Sequence, residues 1–330
     1  MLTTLEEAQT PWRAGPLRAG PLKTRRQRLI FGETYEDAAI ELRAFAPRSR
    51  VFAIAGAGST ARALAAAGHR VTAVDISAAQ IDYAKARAAG GAAQTGAAVK
   101  AGAAERLLAW GRALAAATGW RRETVEEFLA LENCAEQAAY WDRWLDTPAW
   151  RAAVETLLGP WLLGLCYRSA FVRALPRGFG RLLRERLRRG WATHANRGNP
   201  YAALLLLGRT PPDPGPVLEP IRFVCADAAE FLESAAPASF DAFALSNIGD
   251  GATAEYMRRL NAAIGLAAAP GAMQVMRSFA EPAGEAGANW AARDRSLLWG
   301  VVNVANVRGA VAAVDASYAE RAGGESCCIF

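Results

Sequence analysis

The stretch VFAIAGAGSTARALAAAG, residues 51–68, restricts the fold more than any other part of the chain. A short apolar run enters a glycine turn and leaves as a helix that stops at Gly68. An apolar run of that length bounded by glycines reads as a buried strand. VTAVD (71–75) is a second such run, and residues 78–89 form a second helical pattern ended by Gly90 and Gly91. Neighbouring parallel strands need a crossover, usually a helix. Strand–helix–strand–helix with short loops is therefore the start of a doubly wound α/β sheet.

The pattern then changes. Residues 97–208 show helical periodicity and almost no strand signal, and they hold seven of the ten tryptophans. The sheet resumes at IRFVCAD (221–227), FDAFALSN (240–247) and AMQVMRSF (272–279), and 296–318 alternates again and supplies the last strands. The proline-rich stretch Thr210–Pro220 marks a boundary. The expected organisation is a basic arm (1–29), the first half of a Rossmann-type domain (30–96), a helical insertion (97–210) and the second half of the domain (211–330). An insertion of that length is large enough to be a small domain.

The chain is 52% hydrophobic, ample for a core, with much of that count in alanine. Its formal charge of +6 is unevenly placed. Residues 11–28 carry six basic side chains and no acid, and residues 173–189 carry seven arginines against Glu185. The rest of the chain is net acidic. No apolar run reaches the ~18–20 residues that span a bilayer. Three scattered cysteines (134, 166 and 225), an adjacent pair at 327 and 328, and two histidines show no metal spacing and fit a reduced, cytoplasmic protein. The final CCIF matches a prenylation pattern that has meaning only in a eukaryote.

Gly56-Ala57-Gly58-Ser59-Thr60-Ala61 fits G-x-G-x-x-A between strand and helix. The first glycine permits the turn, the second lets backbone N–H groups approach a ligand, and Ala61 lets helix pack on strand. A structural glycine turn is the alternative. Asp75 ends the next strand, where a carboxylate accepts both hydroxyls of a ribose. VDISAAQIDYAKARA looks like the class I S-adenosylmethionine enzymes, with a nicotinamide dinucleotide as the rival ligand. That reading places Ala57, Ser59, Ile76, Gln80 and Ala228 around the cofactor. Asp227, at the next strand end, is either an acceptor for the adenine amino group or the N-cap of the following helix.

Phe31–Glu41, FGETYEDAAIE, resembles the "W/Y-E-D-P" element of the S-adenosylmethionine:diacylglycerol 3-amino-3-carboxypropyltransferases, the betaine-lipid enzymes, with Ala38 in place of the proline. The glycine loop with VDIS, GNPYAALLLLG (198–208), LSNIGDG (245–251) and DRSLLWG (294–300) are also similar to that family. The resemblance covers most of residues 30–300. It implies a class I fold and transfer of the aminocarboxypropyl group from S-adenosylmethionine to a hydroxyl of a lipid or small molecule, with release of 5′-methylthioadenosine.

Ligands in open α/β sheets bind outside the carboxyl ends of the strands. Asn247, Asp250 and Gly251 are therefore expected near the sulfonium, with Asp250 as base or acceptor-positioning group or else a turn residue. Tyr35, Glu36 and Asp37 either cover the cofactor or are an exposed helix start. Arg277 holds the ligand carboxylate or makes a salt bridge. His194, Asn199, Tyr201, Asp294 and Arg295 are candidates for the acceptor site. Residues 177–191 form an arginine-rich amphipathic helix that either lies on an anionic membrane surface, making the protein peripheral at the inner face, or packs on the core with a solvated basic face. Nucleic acid is the rival partner for the same charge, but no RNA-binding module is present and none is expected. An ordinary methyltransferase and a non-catalytic adenosyl-binding protein that docks on membranes are the alternative functions, since fold does not fix chemistry.

Overall fold

The computed structural model describes residues 29–90, 102–167, 169–212, 214–282 and 289–308. The basic arm up to residue 28, the CCIF terminus and the part of the expected last strand beyond 308 lie outside the described residues.

The first half of the sheet domain comprises α1 (Ala39–Ala44), β1 (Arg50–Ile54), α2 (Ser59–Ala66), β2 (Arg70–Asp75) and α3 (Ala78–Ala88). The insertion follows as α4 (Ala103–Ala117), α5 (Arg122–Ala130), α6 (Cys134–Tyr140) with a π turn at Trp141–Leu145, α7 (Pro148–Leu157), α8 (Pro160–Cys166), α9 (Ser169–Ala174), α10 (Phe179–Trp191) and α11 (Pro200–Leu207). The second half supplies β3 (Arg222–Cys225), α12 (Ala228–Glu233), β4 (Phe240–Ala244), α13 (Ala254–Ala267), β5 (Ala268–Ser278) and β6 (Val301–Asn306).

The six strands lie in the order β3-β2-β1-β4-β5-β6, all parallel except β6, which runs antiparallel to β5. The order reverses between β1 and β4, the switch point at which doubly wound sheets open a crevice. Alternation along the strands feeds two cores. Val51 and Ala53 pack with Ile40, Leu64 and Ile81 on one face, and Phe52 and Phe243 with Leu232, Leu260 and Ile264 on the other. Burying each of those phenylalanines contributes on the order of 2–3 kcal/mol. The alanines 53, 55, 61, 65 and 73 are buried on the first face, so small side chains there let helix and sheet approach closely.

The insertion has its own core of Trp120, Trp141, Trp150, Trp191 and Phe128. Trp120 donates its ring N–H to the Leu145 carbonyl at 2.8 Å, which satisfies a polar atom in that core. Arg184 holds Asp146 through two bonds of 2.7 and 3.0 Å.

Two expectations change. The first helix begins at Ala39, after Tyr35–Asp37, because the Asp37 carboxylate accepts the Ala39 N–H at 3.1 Å and residues 33–37 are held in tertiary contacts. Tyr35–Asp37 are therefore not an exposed helix start. The arginine-rich helix α10 is not a free basic face either. Arg184 binds Asp146, Arg188 binds Asp142, and Arg186 is buried against the carbonyls of Leu298, Phe279 and Ala280. Its apolar side is inward, with Trp191 fully buried. Among the described residues no helix is long and apolar enough to cross a membrane.

Candidate active site

One cavity opens at the carboxyl ends of β1, β2, β3 and β4 and runs under the insertion. Counting its mouth it encloses about 1580 Å³. Its two ends differ in chemistry.

The polar end is built from strand termini. Gly56 follows β1 with φ of 49°, which turns the chain sharply and sends its N–H to Asp75 Oδ2 at 3.2 Å. Asp75 also accepts the Ser77 N–H at 2.9 Å. Burial nonetheless pushes the Asp75 carboxyl up to about 6, against the lowering effect of those two bonds. Ile76 and Ala57 line the cavity beside it. Asp227, past β3, caps α12 by accepting the Glu230 N–H at 3.1 Å and accepts the Tyr256 hydroxyl at 3.0 Å, and it lines the cavity with Ala228. Cap and ligand contact are compatible there, since each oxygen has a second lone pair.

Glu36 lies at the switch point. It is buried and lines the cavity, bonded to the hydroxyls of Ser246 and Thr60. Burial raises its pKa above the carboxylate norm, with Arg277 opposing and Glu41 adding to the rise. Ser246, directly after β4, is held at φ of 53°, a left-handed conformation costly for a residue with a Cβ. Asn247 beside it lines the cavity. Tyr35 also lines it, its hydroxyl 3.3 Å from Glu105 and its carbonyl accepting the Trp299 ring N–H. Burial first, and then Glu105 and Glu33, push that phenol far upward, so it stays protonated.

The side chains lining this end include four carboxylates, Glu33, Glu36, Asp75 and Asp227. Among the described residues no lysine, arginine or histidine lines it. The start of α2, where a dinucleotide would place its pyrophosphate, is already occupied. Glu33 bonds the Ser59 hydroxyl there, and Arg87 bonds Glu33 at 2.7 Å, the Ala57 carbonyl at 2.9 Å and Ser59 Oγ at 2.9 Å.

The other end is apolar. Leu107 and Leu108 of α4, Leu163 of α8, Phe171 of α9, and Phe179 and Leu183 of α10 form its wall. Phe279 and Trp299, their rings tilted by 31° with centres 4.5 Å apart, join the two ends.

Several expected site residues serve other ends. Gly58 and Ser59 do not line the cavity. A Cβ on Gly58 would lie 3.0 Å from Ala84 Cβ, so that glycine serves the packing of α2 on α3. Gln80 lines the cavity, but its amide is engaged with the backbone of Ile30 and Phe31. Asp250 is buried outside the cavity. It accepts from Ser278 Oγ at 2.5 Å, Phe279 N at 3.0 Å and Asn247 Nδ2 at 3.2 Å. A carboxylate so occupied positions Asn247 rather than taking a proton from an acceptor. Gly251 faces α9, where a Cβ would lie 2.8 Å from Phe171 Cα.

Arg277 is fully buried and cannot hold a ligand. It bonds Asp294 at 2.9 Å, both oxygens of Glu41 and the Asp37 carbonyl at 3.1 Å, with Glu36 at 3.6 Å. Asp37 pairs with Arg295 at 2.6 and 2.8 Å, and this holds its carboxyl below the usual value although burial pulls it upward. Asn199 caps α11 and donates to the Arg295 carbonyl at 3.1 Å, and Tyr201 lies under the Arg295 guanidinium at 6.0 Å. Asp294, Arg295, Asn199 and Tyr201 thus fasten the insertion to residues 36–41 and do not reach the cavity. His194 is half-buried, its ring nitrogen 2.9 Å from the Ala292 carbonyl, and it does not line the cavity.

Glu33, Arg87, Glu105, Ser246 and the apolar wall escaped the sequence reading. Glu33 and Ser246 lie inside the motifs FGETYED and LSNIGDG, one or two residues from positions that were singled out. Glu105 accepts the backbone N–H groups of Gly32 and Glu33 at 2.8 and 3.0 Å, a long-range contact with no local signature. Among the described residues no cluster suits a metal ion.

No family model, curated protein or solved structure matches the chain.

Proposed function

We propose that the protein transfers the 3-amino-3-carboxypropyl group of S-adenosylmethionine to a hydroxyl of a lipid acceptor, releasing 5′-methylthioadenosine. The observation that carries this reading is the joining, in one cavity, of an acidic end at the switch point and a long apolar arm. A sulfonium donor brings a fixed positive charge. Three lining carboxylates, Glu36, Asp75 and Asp227, beside the Arg87-paired Glu33 and without a lining cation favour such a ligand and oppose a pyrophosphate. The Glu33–Arg87 pair at the start of α2 acts in the same direction, because the protein's own carboxylate already holds the anion position.

Asp75 is placed to accept the ribose hydroxyls, and Asp227 and Ala228 to border the adenine. In the transfer the acceptor oxygen bonds to the γ-carbon of the methionine moiety and the carbon–sulfur bond breaks, its electron pair leaving on sulfur. The hydroxyl proton must go to a base. Glu36 faces the cavity at the switch point and has a raised pKa, which makes it a stronger proton acceptor than an exposed carboxylate. Asn247 and Tyr35 line the same region and orient donor and acceptor. A sulfonium activates three carbons, so the product depends on which one is held in line with the acceptor oxygen.

The test is incubation with S-adenosylmethionine and diacylglycerol vesicles, with mass spectrometry of the small products. Methylthioadenosine together with an aminocarboxypropyl lipid is the expected result. S-adenosylhomocysteine with a methylated product would assign methyl transfer instead. No product from any acceptor, with retained binding of the nucleoside, would assign a binding protein.

A further inference from the structure

Helix α8 is apolar on opposite sides. Leu163 is buried in the wall of the apolar arm, while Trp161 and Leu165 are 77% and 52% exposed. Residues four apart share one helix face, so those two side chains form a single outward patch directly behind the cavity wall. A helix that is apolar all round is stable when both sides are covered. The next segments are basic. Arg173 on α9, which packs against α8, and Arg177 and Arg181 beyond it are exposed and make no ion pair among the described residues.

We infer that α8 is the element by which the protein docks on an anionic bilayer, with Trp161 and Leu165 seated among the acyl chains and Arg173, Arg177 and Arg181 on the head groups. Charge complementarity identifies the partner. Exposed apolar side chains on α8, followed in the chain by exposed arginines that make no ion pair among the described residues, match the apolar-below, anionic-above profile of a membrane interface. The docking element is thus α8 with the arginines that follow it, rather than the α10 face, most of whose arginines are paired internally. The inference deepens the proposed lipid reaction, on which it rests for its purpose: among the described residues Leu163 of α8 lines the apolar arm behind this patch, so acceptor chains enter beside α8.

The experiment uses the full chain and vesicles of phosphatidylcholine alone or with about one quarter phosphatidylglycerol. Co-sedimentation should show at least about tenfold stronger binding to the anionic vesicles, since three arginines each contribute on the order of 1 kcal/mol at such a surface. The variant Trp161→Ser/Leu165→Ser should lose about tenfold or more in partitioning at unchanged thermal stability, because neither side chain belongs to the core. Arg173→Glu/Arg177→Glu should abolish the preference for anionic lipid. Equal binding by wild type and the Trp161/Leu165 variant would overturn the inference. So would a wild-type dimer in sedimentation velocity that this variant dissociates, which would give the face to a second copy. Turnover of a short-chain, water-soluble diacylglycerol separates the two readings. If wild type and the variant turn it over equally while only vesicle activity falls, both stand. If wild type binds vesicles through α8 yet turns over no lipid, docking stands and the lipid reaction fails.

Discussion

Arg87, on α3, reaches the start of α2 and closes an ion pair with Glu33 at 2.7 Å, both side chains almost fully buried. The pair fills the anion position of the glycine turn from within. Removing one partner leaves a buried charge uncompensated, which costs about 3–5 kcal/mol. Arg87→Met should therefore lower unfolding stability in urea by about that amount. Arg87→Met/Glu33→Gln should recover most of it, because the desolvated charge goes with its partner. A double variant no more stable than the single one would show that Arg87 acts through the Ala57 carbonyl instead.

Asp75 gives a pH signature in two directions. Its folded-state pKa is raised to about 6 by burial, above the ordinary carboxylate value. The folded state then holds a proton that the unfolded state has released, so this group's contribution to stability is full below the ordinary value and is lost as pH rises to about 6. Binding of a ribose runs the other way, since the ionised carboxylate is the better double acceptor. Between pH 4 and 7 the free protein should lose this part of its stability while nucleoside affinity rises. Asp75→Asn should flatten both profiles, measured by urea unfolding and by calorimetric titration with S-adenosylmethionine. An unaltered affinity in Asp75→Ala would remove Asp75 from the site.

The sheet was legible because its signals are local. Apolar runs into Gly56 and past Asp75 mark strand ends whatever surrounds them, and the expected breaks at 97 and 210 enclose the helices α4–α11. The polar end was legible for the same reason: Asp75 ends a strand, and Asp227 and Asn247 lie within three residues of a strand end. The misplaced residues are those whose role depends on a distant partner. Arg277 ends a strand, as a ligand-binding arginine would, yet Glu41 and Asp294 reach it from other segments and bury it. Asp250 has the context of a turn or a base, and only the fold brings Ser278 and Phe279 to it. The apolar arm gathers leucines and phenylalanines from α4, α8, α9 and α10, and in sequence each of them looks like ordinary helix core.

Asp250 and Glu36 are separable by isosteric change. Asp250→Asn keeps an oxygen for Phe279 N and Asn247 Nδ2, and the Ser278 hydroxyl can turn to accept from the new amide. Its kcat should stay within about threefold of wild type. Glu36→Gln removes the group that takes the proton and should lower kcat by roughly 10²–10⁴, the usual contribution of a general base, with little change in nucleoside affinity. The pH–rate profile of Asp250→Asn should keep its acid limb and that of Glu36→Gln should lose it. The reverse assignment of the limbs would restore Asp250 as base.

Leu183 tests the apolar arm from the side opposite α8. It projects from α10 into the cavity, away from Asp75, Asp227 and the glycine turn. Leu183→Trp adds bulk where a bound acyl chain would run and displaces about three methylenes. At about 0.8 kcal/mol for each methylene kept from burial, the acceptor loses about 2–3 kcal/mol, roughly 50-fold in KM for a long-chain diacylglycerol. A short-chain acceptor does not extend to that depth, so its KM should be nearly unchanged, and nucleoside affinity should not move at all. If the long- and short-chain acceptors suffer equally, the arm is not where the acyl chains lie. If nucleoside affinity falls with them, the substitution has distorted the shared wall at Phe279 and Trp299. The chain-length dependence of KM therefore assigns the apolar arm to the acceptor independently of which carbon of the donor is transferred.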